Sequence, residues 1–174
     1  MVTDDDIDRA LVEENPGSSD LETAMGHDTL SNVLSHPPLI LDAQTKLSEA
    51  LRQMREHRRG CALLVTGGKL VGIFTERDVL MKVAGHQIDL ERTPASTYMT
   101  PDPVTLPADE VVAFALNKMV VEGFRHIPLV DEQKRPVGVV SMREIIEYLS
   151  DYYRRDILNI PFDPSLRSRS RDGA

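Results

Sequence analysis

The sequence predicts an α+β protein made of two tandem β-α-β-β-α units that pack on each other. Two observations carry this. The chain repeats itself: Gly72-Ile73-Phe74-Thr75-Glu76-Arg77-Asp78-Val79-Leu80 returns as Gly138-Val139-Val140-Ser141-Met142-Arg143-Glu144-Ile145-Ile146. Upstream, Ala50-Leu51-Arg52-Gln53-Met54 matches Ala115-Leu116-Asn117-Lys118-Met119, and Pro38-Leu39-Ile40-Leu41 matches Pro103-Val104-Thr105-Leu106. The period is about sixty-five residues, and self-similarity at a fixed period marks a repeat architecture. Within each repeat, short apolar runs alternate with stretches whose apolar residues recur every three or four positions. One unit of this size buries little apolar surface, so the two are expected to share an interface, with function in the cleft between them.

The elements follow in order. Residues 1–24 are acidic, carrying Asp4, Asp5, Asp6, Asp8, Glu13 and Glu14 before Pro16-Gly17-Ser18-Ser19, and read as a solvated arm with at most a short helix around Ile7 to Val12. The first unit spans 25–90. A short helix is expected over Asp28 to Leu34, and His36-Pro37-Pro38 forces extended backbone. Leu39-Ile40-Leu41 is a short strand. Leu47, Ala50, Leu51 and Met54 give Thr45 to His57 one apolar helical face. Cys61 to Val65 is a continuous apolar run, as for a strand covered on both faces. Gly67-Gly68 turns the chain into Leu70 to Phe74. A helix opens after Thr75, runs to about Val83 and stops at Gly85.

The second unit, 91–153, repeats this. Val104-Thr105-Leu106 is its first strand, and Asp109 is expected to cap a helix running to Gly123. Ile127 to Val130 and Val137 to Val140 are strands, and Ser141 opens a last helix reaching Tyr153. Residues 154–174 form a Ser/Arg-rich tail with Arg167, Arg169 and Arg171. It reads as a second solvated segment, able to touch the acidic arm or a phosphate.

Composition narrows the function classes. Of the 174 residues 41% are hydrophobic, enough for one core or two that share an interface. No apolar run is long enough to span a bilayer, and no basic segment precedes an apolar stretch at the N-terminus. One cysteine, Cys61, leaves no intrachain disulfide and fits a reducing cytoplasm. A net charge of -8 argues against non-specific nucleic-acid binding, yet a few local cations suffice for one nucleotide phosphate. No metal-ligand cluster, phosphate loop, nucleophile elbow or acid/base carboxylate pair is recognisable, so no enzyme is expected.

The strand-to-helix junctions are the candidate sites. Orphan N–H groups at a helix N-terminus accept anionic oxygens. Thr75 or Ser141 can donate to a phosphate oxygen, and the acid three residues on can accept from ribose hydroxyls. The same Thr-x-x-Asp and Ser-x-x-Glu are also capping boxes, in which hydroxyl and acid satisfy backbone N–H groups and nothing else. The residues alone leave both readings open.

Two such units, each with Gly-apolar-apolar-Thr/Ser-x-x-acid at the last junction, together with Tyr98-Met99-Thr100-Pro101-Asp102-Pro103-Val104-Thr105 and Gly123-Phe124-Arg125-His126-Ile127-Pro128-Leu129-Val130-Asp131, resemble a tandem pair of CBS domains, a Bateman module. The resemblance covers roughly Thr29 to Leu149. It implies pseudo-two-fold packing, a homodimer and a regulatory role in which a ligand adjusts a protein partner. The implied ligands are AMP, ADP or ATP ahead of S-adenosylmethionine or NAD. By the family's geometry, a primary pocket would combine Thr75 and Asp78 with Met99, Val104, Thr105, Phe124, Arg125 and His126. A weaker one would combine Ser141 and Glu144 with Leu39, Ile40, Arg59, Gly60 and Cys61. The Asp78 pocket ranks first because the family's ribose acid is usually Asp. His126 would bind phosphate more tightly when protonated. Arg77 and Arg143 are solvated or reach a dimer partner. Val79, Leu80 and Val83, with Ile145, Ile146 and Leu149, are core or dimer interface. The rival to a nucleotide sensor is a ligand-free dimerisation scaffold whose motifs only cap helices.

Overall fold

The computed structural model describes residues 26–158, with side chains for 26–150. The expectations for the acidic arm, and for the tail beyond 158, lie outside the described residues. The elements are β1 (Ile40–Asp42), α1 (Leu47–Glu56), β2 (Cys61–Thr66), β3 (Lys69–Thr75), α2 (Glu76–Asp78), β4 (Thr100–Pro101), α3 (Val112–Glu122), β5 (His126–Val130), β6 (Pro136–Ser141) and α4 (Met142–Leu158). A π-helical turn, Val79–Val83, continues α2, and 3-10 turns lie at Leu30–Asn32 and Ala95–Thr97.

A four-stranded sheet runs in the order β1-β2-β3-β4, and β5-β6 forms a two-stranded one. β1 lies parallel to β2, a pairing that needs a crossover, and α1 supplies it. The strand expected at Val104 to Leu106 is reduced to one parallel bridge, Leu106 to Leu129, one repeat on from the Leu41–Leu64 pair. Proline is the cause. In the first unit the Leu63 N–H donates to Leu39 O at 2.8 Å. Pro128 stands at the equivalent position and has no N–H to give.

The short edge strand β4 was not expected. It belongs by sequence to the second unit but pairs with β3 of the first, Ile73 against Thr100. This is half of a reciprocal exchange. The segment leading into the second unit packs on the first: Lys46 bridges Pro94, Ala95 N–H donates to Thr45 O at 2.8 Å, and Ala95 is buried in the first core. The segment leading into the first unit packs on the second: Thr29 bridges Val111, Leu30 N–H donates to Glu110 O at 2.9 Å, and Leu30 is buried in the second core.

The exchange also caps the helices. Neither α1 nor α3 has a side-chain cap, and Asp109 does not serve as one. Instead Leu47 N–H donates to Thr93 O at 2.8 Å and Val112 N–H to Asp28 O at 3.0 Å. The first orphan N–H of each helix is thus met by the lead-in segment of the other unit. The short helix expected over Asp28 to Leu34 is only the 3-10 turn that presents Leu30 to that core.

Equivalent residues fill the two cores: Leu47, Ala50 and Met54 on α1, Val112, Ala115 and Met119 on α3. The β2–β3 sheet is covered on both faces. Ala62, Leu64 and Phe74 face the first core, while Cys61, Leu63 and Ile73 meet Val139 of β6 across the unit boundary. The stripe after each junction splits accordingly. Val83 and Ile145 are core, whereas Leu80 and Ile146 are 69% and 54% exposed.

Candidate functional site

Between the units lies a cleft of about 960 Å³, lined by both strand-to-helix junctions. Residues of both expected pockets line this one cleft, and its Asp78 half and its Glu144 half are named for the two junction acids. Thr75, Asp78, Val104, Phe124, Arg125 and His126 line it, as do Leu39, Arg59, Gly60, Cys61, Ser141 and Glu144. Three expected residues do not. Ile40 and Thr105 are exposed elsewhere, because each follows the cleft-lining Leu39 or Val104 and successive side chains along extended backbone alternate in direction. Met99 packs beneath the cleft, against the first core. There Gly72 is required: a Cβ would collide with the Met99 side chain and lie 3.0 Å from Thr100 O.

Both junctions are capping boxes. Asp78 Oδ2 accepts from Thr75 N at 2.9 Å and Thr75 Oγ1 at 2.7 Å, and Asp78 N–H donates to Thr75 Oγ1 at 3.2 Å. Glu144 Oε2 accepts from Ser141 N at 2.9 Å and Ser141 Oγ at 2.8 Å, and Glu144 N–H donates to Ser141 Oγ at 3.2 Å. Each acid turns its other oxygen across the unit boundary to a hydroxyl. Asp78 Oδ1 accepts from Thr100 Oγ1 at 3.4 Å, and Glu144 Oε1 from Ser35 Oγ at 2.8 Å. Ser35 and Thr100 stand one repeat apart in the exchanged lead-in segments, and sequence reasoning missed both. Their common offset from the strands was the available signal.

The halves differ in charge. The α1–β2 junction brings His57, Arg58 and Arg59 to the cleft, where the α3–β5 junction brings Glu122, Phe124 and Arg125. The Glu144 pocket was expected to hold one cation, Arg59, and Arg58 lines the cleft beside it. Lys82, also missed, pairs with Asp78 Oδ1 at 2.7 Å. Its position four residues on along one helical face was the clue. Arg77 donates to Gly123 O at 3.1 Å across the unit boundary, and Arg143 pairs with Glu147 on its own helix at 2.8 Å.

His126 sits at the centre. Its Nε2 lies 3.2 Å from where a Cβ on Gly60 would be, with a Glu76 carboxylate oxygen 3.5 Å from the same point, so a larger residue there would have to displace the imidazole slightly. Burial pushes the His126 pKa below the usual imidazole range and Arg125 adds to that, against the opposite pull of Glu76 and Glu144. Protonation is therefore expected on the acid side, not near neutrality. With its folded pKa depressed, His126 contributes stability that is present above the unfolded value and lost as pH falls through the folded one. Urea midpoints should drop on acidification below about pH 6.5, the ordinary imidazole value, and His126→Gln should flatten that drop. An unchanged slope in the variant would contradict the assignment. Cys61, one repeat earlier, has its thiol pushed up to about 12 by burial. It is an apolar wall, not a nucleophile.

The CBS domain family model matches this chain twice, over residues 30–85 and 95–151. The chain belongs to the CBS domain family. An uncharacterized 17.7 kDa protein of Acidianus ambivalens is 30% identical over 125 residues, covering 71% of this chain and 74% of that one. The CBS domain-containing protein CBSCBSPB5 of Arabidopsis thaliana is 35% identical over 131 residues, 75% of this chain but 23% of that protein. This chain thus spans about three quarters of one relative and under a quarter of the other. Among solved structures, the CBS domain protein of Pyrobaculum aerophilum complexed with AMP is 28% identical, with TM-score 0.62, covering 71% of this chain and 99% of that one. The CBS domain pair of protein MJ0100 in complex with 5′-methylthioadenosine and S-adenosyl-L-methionine is 27% identical, with TM-score 0.62, covering 70% and 99%. The tandem CBS pair expected from the repeats is the fold observed. CBS domains are generally regulatory modules rather than enzymes. No helix among the described residues is long and apolar enough to cross a membrane.

Proposed function

We propose that this CBS pair is a non-catalytic sensor that binds an adenosine nucleotide (AMP, ADP or ATP) in the cleft between its units. It works as a cytoplasmic homodimer and signals ligand binding to a protein partner. One observation carries the reading: both junction acids converge on one cleft, and each already accepts a hydroxyl from the opposite unit. A ribose hydroxyl replaces such a donor like for like, with arginines nearby for phosphate. The adenosine ligands of the two similar CBS pairs support the same class of ligand. Exposed Leu80, Met81 and Ile146 are the apolar residues that a dimer would cover. A ligand that bridges the units shifts the dimer only as far as its affinities for the two arrangements differ.

The scaffold reading shares the capping boxes and dispenses with the ligand. Thermal unfolding against AMP, ADP, ATP, S-adenosylmethionine, NAD and GMP separates the two. A ligand at a hundred times its Kd adds about 2.7 kcal/mol. For a chain of this size that is roughly 5–10 °C. No shift with any adenosine compound would leave the scaffold. Light scattering of the purified chain tests the dimer, and a monomer at micromolar concentration would remove that part.

A further inference from the structure

Building on the nucleotide reading of the cleft, we infer that the phosphate-bearing nucleotide binds in the Glu144 half, and that Lys82 occupies the Asp78 half in its place. This reverses the order expected from the sequence.

The Asp78 carboxylate is spent. Oδ2 takes both Thr75 donors, while Oδ1 takes the Thr100 hydroxyl and the Lys82 ammonium at 2.7 Å. The four acceptor positions of the group are thereby filled. Lys82 is itself anchored by donation to Tyr98 O at 3.0 Å, and Asp78 is only 6% exposed. A ribose would have to strip an ammonium from a buried carboxylate, leaving two charges to be satisfied anew. Glu144 faces no such competitor. The residue equivalent to Lys82 is Tyr148, whose hydroxyl donates to Asp28. Among the described residues the outer oxygen of Glu144 holds only Ser35, through its hydroxyl and its N–H, and Ser35 is exposed.

Charge points the same way. Arg58 and Arg59 reach the Glu144 half, and neither forms an ion pair among the described residues. Their counterparts by repeat are Gly123 and Phe124, flanked by Glu122, and Asp102 stands where the first unit has Pro37. A phosphate in the Asp78 half would meet those carboxylates beside Arg125. Arg58 closes α1 at φ 51°, where its counterpart Gly123 closes α3 at φ 75°, and Asp102 is left-handed too at φ 43°, so the backbone favours neither half. The helices agree with the charges: Glu144 opens the 17-residue α4, Asp78 a three-residue turn that passes into a π turn.

The test is calorimetric titration of the full-length chain with AMP, and with adenosine as the phosphate-free control. The wild-type chain is expected to take up one AMP per chain. Arg58→Gly should weaken AMP by about tenfold or more, the loss of one charge-assisted hydrogen bond, with adenosine unchanged. Its melting temperature should hold or rise, because glycine suits that backbone, so a folding defect cannot mimic the result. Lys82→Met should gain a second equivalent. Wild-type AMP affinity in Arg58→Gly, or two equal sites in the wild-type chain, would overturn the inference while leaving the nucleotide reading standing. Failure of the wild-type chain to bind any nucleotide would remove that reading and the inference with it.

Discussion

Leu63→Asp is expected to abolish the fold's cooperativity and to cost more than about 4 kcal/mol, beyond the usual range for one substitution. Leu63 is fully buried in the middle of β2, on the face that meets Val139 across the unit boundary. Its cluster among the described residues is Cys61, Ile73, Leu70 and Val139, and transfer of an unpaired charge into such an apolar contact costs several kcal/mol. Domain stabilities run from about 5 to 15 kcal/mol, so the loss takes a large share of what holds the chain together. The milder Leu63→Ala removes the same contact without the charge and should cost about 2–5 kcal/mol. Because each half of the cleft draws residues from both units, nucleotide binding should weaken in step with unfolding of this interface. Urea titration followed by circular dichroism provides the readout. A Leu63→Asp chain with the wild-type midpoint would mean that the units do not depend on this contact.

The second large effect separates the two acids. Asp78→Ala should cost about 2–4 kcal/mol, combining a lost cap of about 0.5–2 with orphaned donors of about 1–3. It strands both Thr75 donors, the Thr100 hydroxyl and the Lys82 ammonium at a site that is 6% exposed. Glu144→Ala removes a similar cap, but its partners are Ser141 and the exposed Ser35, both able to turn to water. Its cost should stay near 1 kcal/mol. Binding should rank them the other way: Glu144→Ala loses the nucleotide, whereas Asp78→Ala retains most of it. Equal stability losses would mean that Lys82 contributes nothing to the buried pair. Equal loss of nucleotide would mean that both halves are used.

Much of this was legible beforehand. Apolar spacing alone placed α1 and α3, and the buried residues on each are equivalent by repeat. The Thr-x-x-Asp and Ser-x-x-Glu signatures marked both junctions, because capping is a local exchange between residues three apart. Gly72 and Gly138 sit where Met99 and Leu34 respectively pack close to the backbone. Most of the residues that the family resemblance assigned to the cleft do line it; Met99 packs against the first core instead, and Ile40 and Thr105 miss because the face of an extended segment was at issue.

By itself, then, the sequence determined two repeated units, complete but for the first strand of the second, with their helical faces, their capped junctions and their resemblance to one family. All of these follow from contacts within a few residues or from the repeat itself. Tertiary structure alone decided that the lead-in segments change places, that β4 joins the other unit's sheet, and that the two pockets merge into one cleft. It also decided that Ser35 and Thr100 reach the acids and that Arg58 and Arg59 gather at the Glu144 half. The reason is the repeat. Two near-equivalent segments satisfy the same local rules whichever unit they pack against, so no local pattern distinguishes exchange from its absence. Only burial of Leu30 and Ala95 in the opposite cores, and the helix N–H groups that Asp28 and Thr93 meet there, settle the choice.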